Sequence, residues 1–306
     1  MSWRRRRCWK WAIVALSIES TYAYSEPLPW TRPRVNDLWN FEPIWVFSLL
    51  LFLGLYVLGL RHMPKKLRRD AWWFFSGWLA LFVALISPIH RLGGWLFSVH
   101  MTQHEILMVV AAPLLTLGRP GLVVLRSLPA KVARGCMRAL EDLGWIDFWE
   151  IITRPGIAWV IHLFALWVWH VPSLFELTFS YGWIHALQHM SFFGSALLFW
   201  QSLFAQRDRQ RRFAPAILSL FTTAVHTSVL GALITFSPRP LYPSYIGRAP
   251  YWGLSALQDQ QLGGMIMWVP AGLVYIISVL YLLYGWLRSS NHTTDRVVHP
   301  AILTEP

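Results

Sequence analysis

Apolar residues in this chain gather into seven long runs separated by polar connections, at about Pro43–Leu60, Ala71–Pro88, Thr102–Leu117, Gly156–Val171, Trp183–Phe204, Ala216–Phe236 and Gly264–Leu287. Runs approaching 20 residues with few charges have the length a helix needs to cross the hydrocarbon core. They predict an all-α, polytopic transmembrane helix bundle of seven spans over about residues 40–287. Ahead of them, Arg4-Arg5-Arg6-Arg7 precedes a short apolar run from Trp11 to Ile18 and small residues around Ala23. That order of charge, apolar stretch and small residues predicts a signal peptide or an uncleaved signal anchor over residues 1–25. Either reading puts residue 30 outside.

Composition supports the membrane reading: 55% of the 306 residues are hydrophobic, 16% aromatic and 14% charged. It excludes a disordered chain, a coiled coil and a disulfide scaffold. With Cys8 and Cys136 alone, no CxxC motif can be built, which argues against thiol redox chemistry. No phosphate-binding loop, nucleophile elbow or dinucleotide-binding glycine pattern is present, so an NTPase or an ordinary serine hydrolase has no sequence support.

The net charge of +12 would suggest nucleic acid in a soluble protein. Its placement argues otherwise. Seventeen Lys and Arg fall in the connections around Lys65, Arg134 and Arg209 and in the tail, against five in the alternate connections, at Arg32, Arg34, Arg91, Arg239 and Arg248. Cytoplasmic loops carry the positive excess. The expected protein is therefore a multi-pass protein of the cell's inner (plasma) membrane, with its mature N-terminus outside, its C-terminus cytoplasmic, lipid as the partner of its charge and no nucleic acid. The connection over about residues 119–154 interleaves apolar and basic residues, predicting an interfacial helix on the cytoplasmic side. Residues 288–306 form a polar cytoplasmic tail expected to fray.

The eleven histidines carry the chemical signal. With this topology, His90, His100, His104, His170, His185 and His189 fall near the outer interface, and His226 lies midway along the sixth span. His100/His104 and His185/His189 are i,i+4 pairs, so each pair stacks on one helix face about 6 Å apart along the axis. The bland alternative is that interfacial histidines reach for headgroups. Two pairs at the same end of two spans favour a convergent cluster, and ionisable residues inside spans usually face a bundle interior, which brings in His226. Imidazole binds zinc, copper, iron or nickel, whereas thioether sulfur favours Cu(I). Met101, Met108, Met190, Met265 and Met267, in or near the outer halves of spans beside these histidines, therefore tilt the expected metal from zinc toward copper, although Met also serves as ordinary packing. Asp259, at the start of an apolar helix, either caps that helix or holds a ligating imidazole in one tautomer.

The strings His100-Met101-Thr102-Gln103-His104, Ala112-Pro113-Leu114-Leu115, Trp169-His170-Val171-Pro172, His185-Ala186-Leu187-Gln188-His189 and Asp259-Gln260-Gln261-Leu262-Gly263-Gly264 resemble the polytopic CtaG family of cytochrome c oxidase assembly factors. The similarity runs over about residues 40–287. It implies a membrane protein required for a functional haem–copper oxidase, through copper handling for the oxidase's metal sites. The implied partners are cytochrome c oxidase subunits and a soluble copper chaperone. The expected site comprises His100, His104, His185 and His189, with His170, His226, Met101 or Met190 completing or lining it and Asp259 in support. Two other readings stay open: a histidine-lined metal or proton transporter, and a b-type haem protein. The outer face offers neither a paired carboxylate nor a nucleophile–base set, so a non-enzyme is expected.

Overall fold

The computed structural model describes residues 33–204 and 213–298. The expected signal segment and the loop around Arg209 lie outside these residues. The described chain is helical; after a 3-10 turn at Val35–Leu38 come α1 (Pro43–Leu60), a single turn at Lys65–Arg68, α2 (Ala71–Leu85) and the short α3 (Pro88–Leu92). Next comes α4 (Phe97–Glu105), continued through a wide π-helical turn (Ile106–Ala111) into α5 (Ala112–Gly118). α6 (Pro120–Leu125), α7 (Ala130–Asp142) and α8 (Trp145–Ile152) form the long connection. α9 (Pro155–Trp169), α10 (Pro172–Ser180), α11 (Gly182–Phe204), α12 (Phe213–Thr235) and α13 (Ala256–Val298) complete the bundle.

Proline sets many of these boundaries. It occupies the first helical position of α1, α3, α6, α9 and α10, where its fixed φ suits the turn and its missing N–H is one that would go unpaired anyway. Pro113 instead sits inside a continuous helical rod and cannot donate to Val109. The widened turn at Ile106–Ala111 absorbs that defect without breaking the rod.

Among the described residues, four helical stretches are both long and apolar enough to cross a membrane: α1, the rod Phe97–Gly118, α12, and Ala256–Arg288 within α13. α9 qualifies only jointly with α8, from which it is bent by 76°, giving up to five. Of the other expected spans, α2 is an apolar helix of 15 residues. α11 has 23 residues but buries His185, Gln188, His189, Ser195 and Ser202. The described residues therefore form four or five helices that qualify as spans, where seven were expected. The polar content of α11 faces the bundle interior, as polar groups within spans do. α13 runs on past Ser289 to Val298, into the expected tail, whose residues 299–306 lie outside the described ones.

Glycine allows close helix approaches around α13. A Cβ on Gly264 would lie 2.4 Å from Thr235 Oγ1 and 2.8 Å from the Gly231 carbonyl of α12, and one on Gly263 would lie 2.3 Å from the Phe97 ring of α4. α13 is thus pressed between α12 and α4, as the glycine pair suggests. The rod from α4 to α5 also packs on α11, so the third and fifth expected spans are neighbours.

Candidate metal centre

The imidazoles are delivered by three helices. α4 sets the His100 and His104 ring centroids 4.3 Å apart, and α11 sets those of His185 and His189 4.2 Å apart. Between the helices, His100 lies 5.5 Å from His185 and 6.0 Å from His189, while His104 lies 5.2 Å from His189. α3 adds His90, whose ring is 5.7 Å from His185 and 5.9 Å from His189. All five are buried.

One ring nitrogen from each of His100, His185 and His189 lies within 4.8 Å of the other two. Two imidazoles sharing an ion at about 2.0–2.1 Å bring their nitrogens to roughly 4 Å, so a small ring rotation would close this trio on one metal. Neither ring nitrogen of His104 has a hydrogen-bond partner, and Nε2 of His170 and of His189 is equally unpaired. Gln188 and the Gly93 backbone lie near His100 without reaching good hydrogen-bond geometry. Buried polar atoms are nearly always bonded, so a group of unpaired ring nitrogens is a donor set in want of an acceptor. Neutral imidazoles suit zinc, copper, iron or nickel.

His90 plays a different part. The Gln103 side-chain amide nitrogen donates to the Ala84 carbonyl at 2.8 Å and to His90 Nδ1 at 2.9 Å. A carbonyl can only accept, which fixes the amide orientation and places the His90 proton on Nε2. Burial, helped by the Arg91 charge, pushes His90 down to about 4, so it is neutral at pH 7. α3 lies outside the helices that qualify as spans, yet it inserts this ring among those of α11.

The remaining expected residues divide. His170 is buried within electrostatic reach of His100 and His104, its Nδ1 held by the Leu166 carbonyl at 2.6 Å. Tyr242 donates to the His170 carbonyl at 3.0 Å, and burial with the Glu176 charge pushes that phenol up, keeping it a donor. His226 stands elsewhere, its ring 6.0 Å from Trp159 and close to His162, on a different stretch of the bundle. The methionines turn away. Met101 packs in a hydrophobic cluster with Phe97, Phe175 and Tyr242, and Met190 is 66% exposed. A residue one position along a helix is rotated by about 100°, so neighbours of inward histidines point elsewhere. Asp259 touches no imidazole; its carboxylate accepts from the backbone N–H groups of Phe97 at 2.6 Å and Ser98 at 3.1 Å, capping α4 rather than its own helix.

His90, Gln103 and Gln188 were not singled out as site residues from sequence. A signal for the glutamines was present: both paired strings read His-x-x-Gln-His, and the two amides are fully buried beside the rings.

Fold and site together define a multi-pass helical membrane protein with a buried histidine cluster. The chain belongs to the cytochrome c oxidase caa3 assembly factor family, whose family model matches residues 54–289. It is 28% identical over 286 residues to an uncharacterized protein of Mycobacterium bovis and, to the same degree, to one of Mycobacterium tuberculosis. An uncharacterized protein of Mycobacterium leprae is 25% identical over 285 residues. These matches cover 88–89% of this chain but only 43% of each relative, so the chain spans less than half the length of the curated proteins it matches. No solved structure matches it.

Proposed function

We propose that this protein serves in the assembly of a haem–copper cytochrome c oxidase by holding a copper ion at His100, His185 and His189 for transfer to an oxidase subunit. The observation that carries this reading is the approach of three buried ring nitrogens to within 4.8 Å of one another. His104 and His170 offer further unpaired nitrogens beside the trio, and His90 braces it through Gln103. With Met101 and Met190 turned away, the choice of copper over zinc rests on the family's haem–copper client, not on sulfur ligands.

The proposed topology has seven spans, with α2, α9 and α11 crossing as shorter or more polar members and the cluster near the outer face. Copper then arrives from a soluble chaperone outside, and the protein turns over no substrate of its own. Metal analysis of the purified full chain tests this reading. Copper near one equivalent, lost in His100→Ala and His189→Ala at unchanged protein yield, is the expected result. Copper that stays in both variants, or zinc in its place after copper loading, overturns it.

A further inference from the structure

At the other end of the rod that carries His100 and His104, a cleft of about 860 Å³ opens between α5, α6, α8, α11 and α13. Arg119 follows His104 by fifteen residues along that rod, about 22 Å at 1.5 Å each, and no histidine lines the cleft, so it is no part of that site. Its walls are mostly apolar, from Leu122, Leu203 and Leu282, with Trp149 at one edge and the Gln201 amide among them. Arg119 is the one charged residue among the described lining residues, and no carboxylate there neutralises it.

We propose that this cleft holds one anionic phospholipid molecule, with its phosphate on Arg119 and its acyl chains along the leucine wall. Three independent features fit that occupant. Arg119 sits at φ 50°, a left-handed conformation that non-glycine residues rarely adopt. The turn is pinned on both sides, by the Tyr56 hydroxyl donating to the Gly118 carbonyl at 3.0 Å and by Pro120 opening α6. The Arg119 backbone is thereby held at the cleft wall, with its exposed side chain free to reach a headgroup there, and the planar guanidinium fork matches phosphate geometry.

Second, α8 meets α9 at 76°, so it lies across the bundle and not along it. This leaves Trp145, Phe148, Trp149 and Ile151 exposed, an aromatic set suited to the depth of lipid headgroups. Third, α7 has no buried residue. Its Lys131, Arg134 and Arg138, spaced i, i+3 and i+7, present three cations along one exposed face, complementary to an anionic leaflet. Charge gathers the lipid at the surface, and the cleft retains one molecule of it.

Native mass spectrometry of the full chain in detergent, with phosphatidylglycerol or phosphatidylcholine added, tests this inference. The wild-type protein should keep one phosphatidylglycerol under conditions that strip phosphatidylcholine. Arg119→Gln should weaken that retention about tenfold or more, the scale of a lost charge-assisted hydrogen bond, while Arg119→Lys keeps most of it. Gly121 faces open space within the cleft lining, so Gly121→Trp fills the cavity with Arg119 intact and should also abolish retention. Equal retention of the two lipids, or wild-type retention by Gly121→Trp, overturns the inference. Copper content plays no part in this readout, so it stands or falls separately from the metal site.

Discussion

Asp259 and Ser98 are joined by two hydrogen bonds across 161 positions of sequence: the carboxylate accepts the Ser98 backbone N–H at 3.1 Å and its hydroxyl at 2.6 Å. With the Phe97 N–H, these satisfy donors that a helix N-terminus leaves open, on the helix that presents His100 and His104. Asp259→Ala should therefore destabilise the protein by about 3 kcal/mol, the scale of charged, buried hydrogen bonds. Ser98→Ala leaves both backbone bonds and should lose only about 1 kcal/mol. Thermal unfolding in detergent measures both, and equal losses would show that the cap does not hold α4.

Gly264 and Gly272 make a matched pair on one helix, α13, in different environments. Gly264→Ala forces a methyl against the Thr235 side chain and the Gly231 backbone, whereas a Cβ on Gly272 meets nothing within 4 Å. The first substitution should destabilise by about 2 kcal/mol or more through overpacking. The second should be neutral or stabilising by a few tenths of a kcal/mol, as the helix gains alanine for glycine. Similar melting temperatures for the two variants would contradict the close contact of α12 and α13.

His90 predicts a pH dependence. Its folded value of about 4 lies below the ordinary 6.5, so the folded state prefers the neutral ring. Stability is full above 6.5 and declines as pH falls toward 4, because the unfolded chain takes up the proton first. Between pH 7 and pH 5 this group alone should lose about 2 kcal/mol. His90→Gln should show a shallower decline over that window in detergent melts, and an unchanged slope would mean that His90 is not neutral in the folded protein.

Ligand identity separates residues that are neighbours in sequence. His189→Ala should remove bound metal, whereas Met190→Leu, on a side chain turned out of the bundle, should leave it unchanged. His226→Ala should behave like Met190→Leu. Metal loss in either of the latter two variants would enlarge the site beyond the five clustered rings.

Orientation can be read with single cysteines in a Cys8→Ser, Cys136→Ser background. Ser180 and Arg134 are both exposed, at opposite ends of the bundle by the charge bias. A membrane-impermeant thiol reagent on intact cells should label Ser180→Cys and spare Arg134→Cys. The reverse pattern would put the histidine cluster on the cytoplasmic side.

The sequence by itself determined the helical membrane class, most helix boundaries to within a few residues and the two imidazole pairs. These properties are local: a run of apolar residues has nowhere to go but lipid or core, proline marks first turns, and i,i+4 spacing sets one face whatever surrounds it. Tertiary structure decided the rest. Whether α4 and α11 are neighbours, and that α3 inserts His90 between them, depends on how the helices pack. Met101 and Met190 looked like ligands because they adjoin histidines in the chain, but 100° of helix rotation carried them away. Asp259 showed its charge and its place in a first turn; that it caps another helix, 161 residues distant, follows only from where the bundle sets α13 against α4.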